Sequence, residues 1–164
     1  KGPIIFRQQR VGKDGKHFTI YKFRTMVENA EKMGTGLDSY ANDSRVTKIG
    51  RVLRNTSIDE FPQIFNILKG NMSFVGPRPP VTYHPYIYEE YPLEAKRRFE
   101  VKPGVTGYAQ INGRNELTWE DKFIFDLYYV DHISFLLDLT ILVLTIFKVV
   151  KMEGSYDVER SNRM

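Results

Sequence analysis

Two adjacent carboxylates, Asp59 and Glu60, stand among well-spaced cations. Arg51 and Arg54 lie just upstream. Arg78 follows in Gly76-Pro77-Arg78-Pro79-Pro80, where prolines lock the backbone. Lys22 and Arg24 close an earlier apolar run. A carboxylate can hold a divalent cation such as Mg2+, and guanidinium forks grip phosphate oxygens. A second carboxylate can attack phosphorus, because aspartyl-phosphate chemistry exists. The pattern therefore suits a phosphate ester with a metal ion. It also suits a plainer role, in which both acids cap a helix and face its dipole. At such a position the dipole is expected to lower a carboxylate pKa and to draw in a phosphate.

The elements that must carry these residues are partly legible. Ile4 to Val11 and Phe18 to Phe23 read as two strands, with the Asp14-Gly15 signal between them. Arg24 to Met33 reads as a short helix ending near Gly34, Thr35 to Ser44 as a mobile polar loop, and Thr47 to Arg54 as a helical turn or two with a basic face. In Ser57 to Leu68, the residues Phe61, Ile64, Phe65 and Leu68 repeat at helical spacing. Ser57 and Glu60 have capping-box spacing; Asp59 as the cap would suit Pro62 better. Gly70-Asn71 ends that helix. Pro92 to Phe99 and Thr118 to Val130 are further helices, the second with Thr118 and Asp121 as a capping box. Lys102 to Arg114 reads as loop and short strand.

Ser134 to Val150 is almost wholly apolar, with Asp138, Thr145 and Lys148 on one stripe. At about 1.5 Å per residue it falls short of a bilayer core of about 30 Å. A helix lying in the membrane interface, polar stripe outward, is the expectation, with a buried core helix as the alternative. The resulting fold class is α+β: a single compact domain, mostly helical, with an N-terminal β-hairpin and amphipathic membrane-interface helices. Its expected extent is residues 1–153, with 154–164 as a flexible C-terminal tail.

Composition narrows the classes. The 164 residues are 41% hydrophobic and 27% charged, which excludes a disordered chain. Aromatic residues reach 13%, suiting a membrane interface or an aromatic-rich core. The formal charge is +4, a mild attraction for phosphates, anionic lipid or nucleic acid. With no cysteine there are neither disulfides nor thiolate metal sites. His17, His84 and His132 are too scattered for a zinc motif. No Walker loop or Gly-x-Ser-x-Gly elbow is present. A non-catalytic basic module for membrane or nucleic acid is the rival reading. The basic residues are scattered rather than gathered on one arm, which speaks against nucleic acid as partner.

Several phrases resemble the bacterial sugar transferases, the monotopic phosphoglycosyl transferases that load a sugar phosphate onto a polyprenyl phosphate. They are Gly2-Pro3-Ile4-Ile5-Phe6-Arg7-Gln8-Gln9-Arg10-Val11-Gly12, Tyr21-Lys22-Phe23-Arg24-Thr25-Met26 and Ser57-Ile58-Asp59-Glu60-Phe61-Pro62-Gln63. Met72-Ser73-Phe74-Val75-Gly76-Pro77-Arg78-Pro79, Lys102-Pro103-Gly104-Val105-Thr106-Gly107 and Gln110-Ile111-Asn112-Gly113-Arg114 continue the match. The resemblance implies a UDP-sugar donor, an undecaprenyl phosphate acceptor and release of UMP. It implies Asp59 as nucleophile, Glu60 as Mg2+ ligand, and Arg54, Arg78 and Lys22 as phosphate binders. Gln110, Arg114, Lys122 and Asp126 sit in family phrases as substrate-binding or scaffold residues. The implied setting is the cytoplasmic face of the inner membrane, in capsule, exopolysaccharide, O-antigen or glycoprotein glycan synthesis, with a homodimer as a possible assembly. The family's apolar membrane-entering segment is expected to precede Lys1.

Overall fold

The computed structural model describes residues 2–37, 39–40, 42–113 and 117–151. Arg114 and the expected tail lie outside them. The chain opens with strands β1 (Ile5–Val11) and β2 (His17–Phe23), paired antiparallel from Ile5–Phe23 to Val11–His17. Between them Asp14 and Gly15 take positive φ, at 55° and 74°. That left-handed pair is what an Asp-Gly turn supplies. Phe18 and Ile20 project from one face of the hairpin onto buried Met72.

The expected helix over Arg24 to Met33 does not form. Thr25 and Val27 give their backbone bonds to the segment around Val46: Thr47 N–H donates to Thr25 O and Val27 N–H to Arg45 O. Only a 3-10 turn, Ala30–Lys32, remains. The following loop is also tied down, against expectation. Buried Arg45 donates to the carbonyls of Ala30, Met33 and Gly36 at 2.7–3.0 Å and to the buried Asp43 carboxylate at 2.7 Å.

Helix α1 (Lys48–Asn55) is capped by Thr47, whose hydroxyl accepts from Gly50 N–H. Gly50 lets α1 press onto the hairpin extension: a Cβ there would stand 1.9 Å from Thr25 O. The stretch after it departs from the capping-box expectation. Ser57 is left-handed, with φ 55°, and makes no side-chain cap. A 3-10 helix, Ile58–Gln63, runs into the short helix α2 (Ile64–Leu68). The apolar repeat on this stretch faces away from the core, with Phe61 70% and Leu68 75% exposed.

Strands β3 (Ser73–Val75) and β4 (Gly104–Thr106) pair in parallel. Between them lie the proline-locked loop and helix α3 (Leu93–Lys96), which continues into a 3-10 turn, Arg97–Phe99. A short helix α4 (Tyr108–Ile111), not foreseen from the sequence, packs against α5 (Trp119–Asp131). Thr118 caps α5, accepting from Asp121 N–H at 3.1 Å. Val11, Tyr91, Phe99 and Phe123 form the core between the hairpin and α5. The α+β domain, mostly helical with an N-terminal hairpin, stands as expected.

Helix α6 (Phe135–Val150) corrects one expectation: Asp138 and Thr145 of its polar stripe point inward. Asp138 accepts from Tyr129 O–H at 2.8 Å, and Thr145 meets Thr106 at 2.7 Å. Ile141 is fully buried, while Phe135, Leu136, Ile146 and Phe147 face outward, Phe135 80% exposed. Among the described residues no helix is long and apolar enough to cross a membrane.

Arg45→Met removes the guanidinium from this loop hub and leaves the buried Asp43 charge unpaired. It is expected to cost about 3–5 kcal/mol, measured by urea unfolding.

Candidate active site

The elements enclose a cavity of about 300 Å³. Hairpin parity places one wall: in the β1–β2 register, even-numbered residues of both strands share a face, so Arg10 and Lys22 project the same way. Both line the cavity. Arg54, in the last turn of α1, comes from a second side, fixed by bonds to Thr25 Oγ1 at 2.9 Å and Ser39 Oγ at 2.7 Å. Asp59 and Glu60 come from the 3-10 helix. On α5, the spacing of Trp119, Lys122 and Asp126 puts all three on the face turned to the cavity.

The loop carrying Arg78 is held along its whole length. Pro77 O accepts from Gly104 N–H at 3.0 Å, and Pro80 O from Val11 N–H at 3.0 Å. Arg78 O accepts from Arg98 Nη2 and Pro79 O from Arg10 Nη1, each at 2.9 Å. Arg98 in turn is paired with Asp126, whose side chain is 1% exposed, at 2.7 Å. Each carbonyl from Pro77 to Pro80 thus has its own donor.

The two acids are not equivalent. Glu60 Oε1 accepts from Lys22 Nζ at 2.9 Å and from Arg78 Nη2 at 3.2 Å. No described residue donates a hydrogen bond to the Asp59 carboxylate, which lines the cavity. Neither acid serves as a helix cap, since the N-cap position is Ser57. The expected dipole effect on Asp59 is reversed as well. Burial raises its pKa and the neighbouring Glu60 adds to this, while Lys22, Arg54 and Arg78 pull it down. A six-residue 3-10 helix entered from a left-handed residue offers little aligned dipole, so desolvation wins. Burial also lowers Lys22, against the pull of Glu60. Arg10 is lowered to about 10 by burial and by nearby Arg78.

The structure brings together Lys22, Arg54, Asp59, Glu60, Arg78, Gln110, Lys122 and Asp126 around one cavity. Of the residues singled out in the sequence, only Arg114 falls outside the described ones. Sequence reasoning missed Arg10, Arg98, His84 and Trp119, all of which line it. Hairpin parity with Lys22 could have found Arg10, and helical spacing from Lys122 and Asp126 could have found Trp119. His84 carries no such signal; its Nε2 accepts from Trp119 Nε1 at 3.1 Å.

Comparison with known proteins follows this geometry. The family model described as bacterial sugar transferase matches residues 1–152. A Bacillus subtilis (strain 168) protein named uncharacterized sugar transferase EpsL is 51% identical over 93% of this chain and 72% of its own length. A Klebsiella pneumoniae UDP-glucose:undecaprenyl-phosphate glucose-1-phosphate transferase is 48% identical over 95% of this chain. A Streptococcus agalactiae (serotype III, strain NEM316) galactosyl transferase, CpsE, is 46% identical over 94% of it. The chain spans only 34% and 36% of those two proteins.

The raised Asp59 pKa has a stability consequence. Its folded value lies above its unfolded value, so ionisation costs the fold nothing below the unfolded pKa and its full cost above the folded one. Asp59→Asn is expected to melt above the wild type near pH 8. The gain should shrink as pH falls towards the ordinary aspartate value of about 3.9. Differential scanning fluorimetry across pH reads this directly.

Proposed function

We propose that this chain, which belongs to the bacterial sugar transferase family, moves a sugar-1-phosphate from a UDP-sugar to polyprenyl (undecaprenyl) phosphate and releases UMP. The observation that carries this reading is the asymmetry of the acid pair. Glu60 is held by Lys22 and Arg78, whereas Asp59 is uncommitted, desolvated and turned to the cavity. A carboxylate made more basic by burial is a stronger nucleophile once ionised.

In the first half-reaction an Asp59 oxygen attacks the phosphorus that bears the sugar. The bond from that phosphorus to the UMP oxygen breaks, and UMP leaves with the bonding pair. In the second, an oxygen of the polyprenyl phosphate attacks the same phosphorus. The bond to Asp59 breaks, the carboxylate is restored, and the sugar ends on a polyprenyl diphosphate. Arg78, Arg54 and Lys22 offset the negative charge that would otherwise repel the nucleophile. The anchored loop keeps Arg78 in place through both steps.

Mg2+ fits the donor set. No group of three or more His, Cys, Asp or Glu forms a protein cage among the described residues. Mg2+ commonly takes one or two carboxylates and completes its shell with phosphate oxygens and water. Glu60, with Asp59 beside it, would hold the ion. When bound, it would neutralise charge on the diphosphate.

The outward apolar faces of α6 and of the Phe61–Leu68 stretch support seating on a membrane surface, where an acceptor lipid is reachable; the cytoplasmic face of the inner membrane is what the family resemblance implies. The reaction would open assembly of a capsule, exopolysaccharide, O-antigen or protein-linked glycan.

Full-length protein incubated with a UDP-sugar and Mg2+ should gain the mass of one sugar phosphate, mapped to Asp59 by peptide mass spectrometry. Asp59→Asn should form no adduct and lose turnover by at least about a thousandfold. Absence of any adduct in quenched wild-type reactions would sink the covalent route. Full activity in EDTA would sink the metal. The acid limb of the wild-type rate profile should lie above the ordinary aspartate range, because Asp59 must shed its proton before it attacks.

A further inference from the structure

A second cavity, of about 240 Å³, opens beside the hairpin turn and shares no lining residue with the one that holds Asp59. Buried Gly12 and Phe18 lie at its floor. Lys13, Lys16, His17 and Lys102 stand around its mouth, all exposed, so a ligand can reach each of them. The Asp14-Gly15 turn, with both residues at positive φ, folds the chain back and brings Lys13 and Lys16 to one opening. Lys102 comes from the segment before β4. Its Nζ lies 3.8 Å from the point that a Cβ on Gly70 would occupy, so it reaches the chain leaving α2. None of these three ammonium groups has a hydrogen bond or ion pair with a described residue.

Ammonium groups gathered at one concavity repel each other, and Asp14 is the single carboxylate among the lining residues. In the other cavity Glu60 compensates Lys22 and Arg78. Here the surplus positive charge is left to something outside the chain. An ammonium is a compact charge with three rotatable donors, which suits phosphate oxygens approached from several sides. The surroundings say which phosphate. Gly70 and Asn71 wall the cavity directly after α2, whose Leu68 is 75% exposed, and Phe74, 55% exposed, follows them. A cationic cradle bordering an apolar face matches a bilayer, where the phosphate layer borders the hydrocarbon. A soluble phosphate would have no use for that border.

We propose that this cavity holds the phosphate head group of an anionic membrane phospholipid. Lys13, Lys16 and Lys102 donate to its phosphate oxygens, His17 supplies a further polar contact, and the acyl chains run towards Leu68 and Phe74. The inference rests on the membrane seating proposed above and not on the transfer reaction. A lipid held here fixes the rotation of the domain on the membrane from a point outside the cavity that holds Asp59.

The test is photo-crosslinking of full-length protein in phosphatidylcholine nanodiscs. These carry a trace of either phosphatidylglycerol or phosphatidylcholine with a photoreactive acyl chain, and labelled peptides are mapped by mass spectrometry. Both lipids should label residues 61–68, which reports the seating. Around the cavity, at residues 12–18 and 70–74, phosphatidylglycerol should label about tenfold more than phosphatidylcholine. Lys13→Ala, Lys16→Ala and Lys102→Ala together should erase that excess and leave labelling at 61–68 unchanged, while the three Lys→Arg changes keep it. Melting curves confirm each fold. Lys102→Ala alone should cut the excess about fivefold, whereas Lys48→Ala, on α1 and outside the cavity, should leave it. An equal loss in Lys48→Ala shows diffuse attraction and overturns the site, as does an excess that survives the triple Lys→Ala change. Millimolar inorganic phosphate that abolishes the excess assigns the cavity to free phosphate and overturns the lipid. Labelling at 61–68 with no excess at the cavity defeats the lipid site alone. No labelling at 61–68 by either lipid defeats the seating and the lipid site together.

Discussion

The molecule is organised around a crowd of like charges. Arg10, Lys22, Arg54 and Arg78 surround one pair of carboxylates, and Glu60 compensates two of them directly. Left to themselves such side chains would turn to solvent, since mutual repulsion and dehydration both push them apart. The three arginines are instead tethered from behind: Arg10 to Pro79, Arg54 to Thr25 and Ser39, Arg78 through its pinned backbone. The fold supplies the rigidity that holds these cations close together. For the proposed reaction, such an arrangement would be electrostatic preorganisation.

What the sequence reveals follows the range of the interaction. The Asp14-Gly15 turn and the Thr118 cap rest on residues within a few positions of each other, and both were legible. Arg24 to Met33 misled because its backbone bonds go to a partner some twenty residues on. Ser57 misled because a spacing rule cannot detect a positive φ. The site was legible by residue type, through Asp59, Glu60 and Arg78. It was not legible by location, because Arg98 and His84 reach the cavity only through tertiary packing.

The inward polar stripe of α6 shows why pattern alone was ambiguous. A stripe of Asp138 and Thr145 marks the minority face, and water was the default partner assigned to it. Tyr129 and Thr106 fill that role, so the polar face is the buried one. The helix is thus polar on its domain side and apolar on its outer side.

The anchored stretch from Pro77 to Pro80 has a consequence for divergence. Its four carbonyls are matched one to one with donors on β4, the turn after α3, and β1. Inserting or deleting a single residue would put every donor out of step at once, whereas a side chain could be exchanged without disturbing the others. Length in this segment is therefore fixed by its backbone partners, a constraint separate from the one that the pairing with Glu60 puts on the Arg78 side chain.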